Sequence, residues 1–371
     1  MTMPPPARPD QRVDDVDTPA LLLDLDAFER NVAVMAEFAR GAGMRLRPHA
    51  KSHKCPEIGL RQMAAGAVGL CCQKVAEAEA LVDGGVPDVF VSNEVVGTPK
   101  LARLAALARR ARVSVCADDA ANVAALEAAA RDAGTRLKVF VEVDVGARRC
   151  GVAPGEPAVT LASAIAASPH LEFAGLHAYH GSAQHLRSVA ERSGAIARAA
   201  AQAQASRDLI ERAGIACPLV TGAGTGTFAF EAASRVYGEL QPGSYVFMDA
   251  DYARNAWEGL PRFEQSLFIL ATVMSAPTAD RAVVDAGLKA HSIDSGMPLV
   301  HGRDGLAYTK ASDEHGVIEV APGAVRPRLG EKLRLVPGHC DPTVNLYDWI
   351  VAYRGERVEA VWSVAARGAF Y

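Results

Sequence analysis

From Ala20 to about Leu240 the chain alternates short apolar, β-branched runs with alanine-rich stretches whose apolar residues recur at helical spacing. Strand-like runs fall at 20–24, 44–46, 68–73, 89–92, 113–117, 137–145 and 173–179, with further ones ending at Val220 and covering 236–240. One helix-like stretch, capped by Asp26, runs through Arg40 with Phe28, Val32, Met35 and Phe38 near helical spacing. Others start at about Pro56 and cover 75–83, 99–110, 120–133, 155–167 and 188–213. Parallel strands cannot be joined by a tight turn, so a helix-sized crossover after each strand predicts βαβ units. Eight such units close a (β/α)8 TIM-like barrel, with the ligand site at the C-terminal ends of its strands. A doubly wound open sheet satisfies the same alternation.

The pattern changes after about Arg262. Runs at 267–274, 282–286, 317–320, 332–336, 349–353 and 356–364 are β-like and are separated by Gly, Pro and Asp instead of helices. This predicts an all-β C-terminal domain over 263–371, a barrel over 26–262, and an N-terminal segment over 1–25 whose strand completes the β domain. At 371 residues, half of them hydrophobic, the chain can bury sizeable cores in two domains. Its net charge of −4 comes without a sustained basic or acidic block, which argues against a nucleic-acid surface and leaves a small molecule as the default partner. The leader over 1–12 is Pro-rich and polar, without the apolar region of a secretory signal, and no later run is apolar enough to span a bilayer. A cytoplasmic protein with no membrane partner is expected. The seven cysteines are odd in number, scattered and without Cys-x-x-Cys spacing, so reduced, mostly buried thiols are expected in place of disulfides or a zinc cluster.

Chemistry-bearing residues gather where strands should end. In Arg47-Pro48-His49-Ala50-Lys51-Ser52-His53-Lys54, Pro48 stops the strand by withholding an N–H and leaves Lys51 at its mouth. Arg47, His49, His53 and Lys54 crowd positive charge around Lys51, which favours the neutral amine needed for a Schiff base. The bland alternative is a solvated basic turn. In Gly146-Ala147-Arg148-Arg149-Cys150-Gly151 an arginine beside glycines can reach an anionic oxygen, and spacing alone does not separate Arg148 from Arg149. In Gly175-Leu176-His177-Ala178-Tyr179-His180-Gly181, alternation puts His177 and Tyr179 on one side of a strand, where Tyr179 suits either a ligand site or the barrel core. Thr221-Gly222-Ala223-Gly224-Thr225-Gly226-Thr227 offers small residues and hydroxyls whose N–H groups can wrap a phosphate. Its spacing matches neither the dinucleotide fingerprint nor a P-loop. In Pro337-Gly338-His339-Cys340-Asp341-Pro342-Thr343-Val344-Asn345-Leu346, an extended backbone would turn His339 and Asp341 to one cation and Cys340 away. The alternative there is an ordinary loop.

The Lys51 and His339 strings resemble those of the D-threonine aldolase and D-serine dehydratase family. These are alanine-racemase-like, fold-type III enzymes that use pyridoxal 5′-phosphate (PLP), and the resemblance runs from about Thr18 to Gly368. It implies the barrel over the open sheet, and Lys51 as the residue that holds PLP covalently. It further implies Arg149 on the PLP phenolic oxygen, Tyr179 on the pyridine nitrogen and Gln73 beside the ring. Gly222, Gly224, Thr225 and Gly226 would cup the phosphate, with Ser244 and Tyr245 bordering that end. His339 and Asp341 would ligate a divalent metal. The dehydratase branch has a thiolate where this chain has Asp341, and a carboxylate beside an imidazole suits Mn²⁺, Mg²⁺ or Co²⁺ better than Zn²⁺, with Mn²⁺ the first choice. The implied reaction is retro-aldol cleavage of D-threonine or another D-3-hydroxy amino acid to glycine and an aldehyde, with a metal-bound hydroxide or the nearby His185 taking the proton. One rival is dehydration of D-serine or D-3-hydroxyaspartate with the same parts; another is a non-catalytic, single-barrel PLP carrier, which lacks the second domain. Relatives on this fold are dimers, so a homodimer is expected.

Overall fold

The structure, a computed structural model, describes residues 4–371, so the first three residues of the Pro-rich leader lie outside the described residues. It opens with β1 (Ala20–Asp24) and α1 (Leu25–Gly41). Asp24, not Asp26, caps α1, because its carboxylate accepts the Ala27 N–H at 3.1 Å while Asp26 sits inside the first turn and pairs with Arg354. Phe28, Val32 and Met35 form the buried face of α1. There follow β2 (Arg45–Leu46), α2 (Pro56–Ala64), β3 (Leu70–Cys72), α3 (Val75–Asp83), β4 (Asp88–Glu94) and α4 (Thr98–Leu107). The alternation continues through β5 (Arg112–Ala117), α5 (Ala120–Ala133), β6 (Leu137–Glu142), α6 (Glu156–Ala166), β7 (Leu171–His177), α7 (Val189–Arg212), β8 (Val220–Gly222), α8 (Phe228–Ser234) and β9 (Glu239–Leu240).

Strands β2 to β9 form one parallel sheet in the order β2-β9-β8-β7-β6-β5-β4-β3. The seam between its ends is closed: Val68 N–H donates to Leu46 C=O and Cys71 N–H to Pro48 C=O, each at 2.8 Å, and His49 bridges Cys71. The expected barrel therefore forms and the open sheet does not. Side chains such as Val91, Val115, Val139 and Leu176 pack outward against the helices in one apolar cluster.

After α9 (Ala250–Ala253) come β10 (Leu267–Thr278), β11 (Arg281–Val284), β12 (Leu299–Val300), β13 (Leu306–Ala311), β14 (Gly316–Val320), β15 (Lys332–Val336), α10 (Cys340–Val344), β16 (Trp349–Arg354) and β17 (Arg357–Ser363). They build a second sheet in the order β13-β14-β11-β10-β1-β16-β17, with β15 on β10 and β12 on β15. The first strand of the chain lies inside this sheet, antiparallel to β10 and parallel to β16, so that Leu22 faces both Phe268 and Val351. Sequence pattern passes over β12, which has two residues, and β13, where Thr309 and Lys310 interrupt the apolar run. A second apolar cluster runs from α1 through Leu46, Leu240 and Tyr245 into Ile269, Leu335 and Ile350, and so joins the two sheets. Six of the seven cysteines are buried and all are free. Among the described residues no helix is long and apolar enough to cross a membrane.

The barrel axis carries a polar column. Glu142 and His177, at the ends of β6 and β7, meet at 3.1 Å. The other ring nitrogen of His177 lies 3.2 Å from Gln241, whose amide donates to the Thr221 hydroxyl at 2.7 Å, and that hydroxyl donates to Glu239 at 3.0 Å. Arg47 completes the column by pairing with Glu239 at 3.2 Å and Asp88 at 2.6 Å. There, at the N-terminal mouth, a cavity of about 400 Å³ is walled by charged side chains including Arg112, Lys138 and Glu172.

Candidate active site

At the opposite, C-terminal mouth lies a cavity of about 540 Å³, within the size range of small-ligand sites. Lys51, Gln73, Arg149, Tyr179, His185, Gly224, Thr225 and Ser244 all line it. Lys51 stands on the turn after β2, and its ammonium pairs with Asp341 of α10. The charge around it differs from expectation. Arg47 points into the barrel column, and Lys54 pairs with Glu77 at 3.1 Å and donates to Asn345 at 2.8 Å. His49 and His53 are buried: burial holds His49 well below the usual imidazole range and His53 at about 4, so both are neutral. Burial by itself would lower the Lys51 amine, but the Asp341 carboxylate outweighs it and holds the amine above its ordinary value. In this state Lys51 is an ammonium, not the neutral amine that a crowd of positive charge would produce.

The floor is polar and paired. The guanidinium of Arg149 lies 3.6 Å from Glu142 and stacks over the Tyr179 ring with 5.6 Å to its centroid, whereas Arg148 turns back in a left-handed conformation and donates its N–H to Asp144. Glu142 and His177 are a buried ion pair. Desolvation opposes charge on both, yet His177 and Arg149 hold the Glu142 carboxyl at about 2 and Glu142 raises His177. Burial raises the Tyr179 phenol, which is therefore neutral. His49 accepts the Lys51 N–H at Nδ1 (3.3 Å), and its Nε2 lies 2.8 Å from the Gln73 amide and 3.2 Å from the Ser92 hydroxyl. His49, Ser92, His177, Gln241 and Tyr252 also line the cavity; sequence reasoning cast His49 only as positive charge near Lys51, placed Gln241 only in the segment bordering the phosphate end, and gave Ser92, His177 and Tyr252 no role. For His177 a signal existed, since it shares a strand side with Tyr179.

The glycine-rich turn after β8 forms one wall through Ala223, Gly224 and Thr225, and Gly243 and Ser244 adjoin it. The backbone N–H groups of Gly224, Thr225, Gly243 and Ser244 find no partner among the described residues, which is the unsatisfied donor set that a phosphate fits. Three expected contacts do not reach the cavity. A Cβ on Gly222 would come within 2.6 Å of the Ala178 carbonyl, and one on Gly226 within 2.7 Å of the Gln184 carbonyl, so close backbone packing explains both glycines. Tyr245 is fully buried, with its hydroxyl accepting from Gln62 at 3.0 Å. Behind the turn, Thr227 donates to the buried Glu231 at 2.8 Å, and burial pushes that carboxyl up to about 8. The native state therefore keeps a proton that the unfolded chain, near 4.5, releases. This group lowers stability as pH rises between those values, by up to about 1.4 kcal/mol per pH unit. Urea melts should accordingly show Glu231→Gln gaining on the natural protein at pH 8 relative to pH 5; an equal difference at both would contradict the shift.

Behind Lys51 and Ser244, which both contact Asp341, stands the start of α10, whose His339 and Asp341 are not among the residues that line the cavity itself. His339 is its N-cap residue, with extended backbone, and Asp341 lies in its first turn, so alternation along a strand is not what groups them. Asp341 is held by Lys51, by the Ser244 hydroxyl at 3.3 Å and by the Cys340 thiol at 3.3 Å. Lys51 and His339 hold its carboxyl far below the usual range against desolvation. Cys340 is buried, and burial pushes its thiol well up in the metal-free protein. His339 Nδ1 meets Asp294 at 2.8 Å, leaving Nε2. An imidazole nitrogen and an anionic carboxylate are a donor pair suited to a borderline or hard divalent cation. Among the described residues, donor trios also occur at Cys116–Glu142–His177 and Glu94–Asp118–Cys150. In the former, Glu142 and His177 already oppose each other's charge across 3.1 Å, and burial together with Glu142 raises Glu94 to about 7, which lets it hold a proton in the latter. His185 lines the cavity, its Nδ1 held at 2.6 Å by Asp251 and its ring 5.9 Å from that of Tyr252.

Residues 23–251 match the family model described as alanine racemase, N-terminal domain, and residues 266–353 match that of a serine dehydratase domain. The chain is 51% identical to a D-threonine aldolase of Arthrobacter sp, over 99% of this chain and 97% of that one. It is 50% identical to a 3-hydroxy-D-aspartate aldolase of Paracoccus denitrificans, over 99% of this chain and 96% of that one. The crystal structure of D-threonine aldolase from Filomicrobium marinum aligns with a TM-score of 0.97 at 51% identity, covering 100% of both chains.

Proposed function

The chain belongs to the alanine-racemase-like, fold-type III PLP family that includes the D-threonine aldolases, and from that premise we propose how its residues perform the reaction. It is a carbon–carbon lyase that cleaves D-3-hydroxy amino acids, D-threonine among them, to glycine and an aldehyde. The observation that carries the mechanism is the contact between Lys51 and Asp341. It sets the amine that would tether PLP beside the carboxylate that would hold a metal.

When bound, PLP supplies the sink for the electron pair of the Cα–Cβ bond, and a divalent cation lowers the pKa of the substrate's β-hydroxyl. Lys51 Nζ would hold PLP covalently, with Arg149, Tyr179 and Gln73 around the ring and the free N–H groups of Gly224, Thr225, Gly243 and Ser244 on the phosphate. Asp341, whose close cationic partner is Lys51, needs another counter-charge once that amine is engaged, and with His339 it would hold the cation. Mn²⁺ is our first choice for this pair. His185, held at Nδ1 by Asp251, accepts the β-hydroxyl proton at Nε2, and Asp251 steadies the imidazole before and after that transfer. A homodimer, which family resemblance supports, and a cytoplasmic location complete the proposal.

Incubation of the PLP-loaded protein with D-threonine and Mn²⁺ should yield glycine and acetaldehyde in equal amounts, and a chelator should stop it. Ammonia and 2-oxobutanoate in their place would sink the aldolase reading in favour of dehydration. D-allothreonine, D-serine and D-3-hydroxyaspartate in the same assay define the substrate range.

A further inference from the structure

We propose that Asp294, in the connection between β11 and β12, is a positioning residue that fixes His339 by its Nδ1 and so makes Nε2 the nitrogen presented to a cation; this rests on the metal reading of His339 above. The Asp294 carboxylate lies 2.8 Å from His339 Nδ1 and also accepts the Ser292 hydroxyl at 2.6 Å and the Ser295 hydroxyl at 3.2 Å. The Ser292 N–H donates to the Thr343 hydroxyl at 3.2 Å, and that hydroxyl donates to the His339 carbonyl at 2.8 Å. These bonds close a ring that returns to His339, so both the backbone and the imidazole of the residue are held. An imidazole whose Nδ1–H is taken by a carboxylate carries its lone pair at Nε2 and is the better ligand for it.

The frame reaches further. Arg254 donates to the Ser295 carbonyl at 2.5 Å and to Asp251 at 2.7 Å, and Asp251 holds His185. His185 and His339 are therefore each held at Nδ1 by an aspartate, and Arg254 ties the two supports together.

The test titrates metal-stripped, PLP-loaded protein with Mn²⁺ and follows free Mn²⁺ by electron paramagnetic resonance. Asp294→Ala should weaken binding by roughly 10- to 100-fold, and Asp294→Asn, which keeps an acceptor oxygen, should fall between it and the natural protein. Turnover of both variants should return at saturating Mn²⁺, a recovery that a merely structural defect would not show. Natural-strength binding by Asp294→Ala, with His339→Ala having lost the ion, would overturn the proposal alone. Unaltered binding by His339→Ala would overturn the metal reading of His339 and this proposal with it.

Discussion

Lys51→Ala is expected to lower the cleavage of D-threonine by roughly 10⁴- to 10⁶-fold, the scale seen when a residue that forms the covalent link is removed. The loss should come with a chemical signature that poor folding would not give. Borohydride treatment of the PLP-loaded natural protein should fix the cofactor to the peptide that contains Lys51, and the variant should retain none after denaturation. Lys51 is suited to this task by place more than by an intrinsically low pKa. Its amine stands at the mouth of β2, beside the free N–H groups of the glycine-rich wall, with Tyr179 and Arg149 close by. Asp341 keeps the amine charged until it is used, so reaction with the cofactor requires that ion pair to open. Cofactor fixed to another lysine in the natural protein would refute the assignment.

The other large effect is expected at Asp341. A divalent cation at a developing alkoxide contributes several kcal/mol of charge stabilisation, so Asp341→Asn should cost about 10³-fold in turnover even at saturating Mn²⁺. PLP loading, read by its absorbance, should persist, because the residues placed around the ring and phosphate are unchanged. This separation of cofactor binding from turnover distinguishes the metal role from a general collapse of the cavity. If Asp341→Asn keeps natural turnover, or its activity ceases to respond to a chelator while remaining high, the cation is not acting through this carboxylate.

Much of the architecture is legible in the chain because each barrel strand ends in a residue that the fold must bring to one mouth. Lys51, Gln73, Arg149, Tyr179 and Thr225 follow different strands yet line one cavity, as parallel strands in a closed barrel require. What is not legible depends on partners distant in sequence. Arg47 is four residues from Lys51, but Asp88 and Glu239 draw it down the barrel axis. Lys54 is taken by Glu77, and His53 is neutralised by burial, so local crowding of basic residues misstates the charge at Lys51. The His339 string is read as extended because its ligand spacing suits a strand, but Asp249, 91 residues earlier, accepts the Cys340 N–H at 2.9 Å and helps start α10 there. Asp251 and Asp294 carry no motif at all. Only the folded chain shows that each is seated on a histidine.

The seat of β1 has a consequence for how the molecule is made. Leu21–Leu23 pair with Phe268 and its neighbours on one flank and with Val351 and its neighbours on the other. During synthesis this hydrophobic ribbon must wait for more than two hundred further residues before its first neighbour exists, and for more than three hundred before its second. Until then it is an unshielded edge of the kind that recruits stray strands. The second sheet therefore cannot close around β1 before β16 has been made.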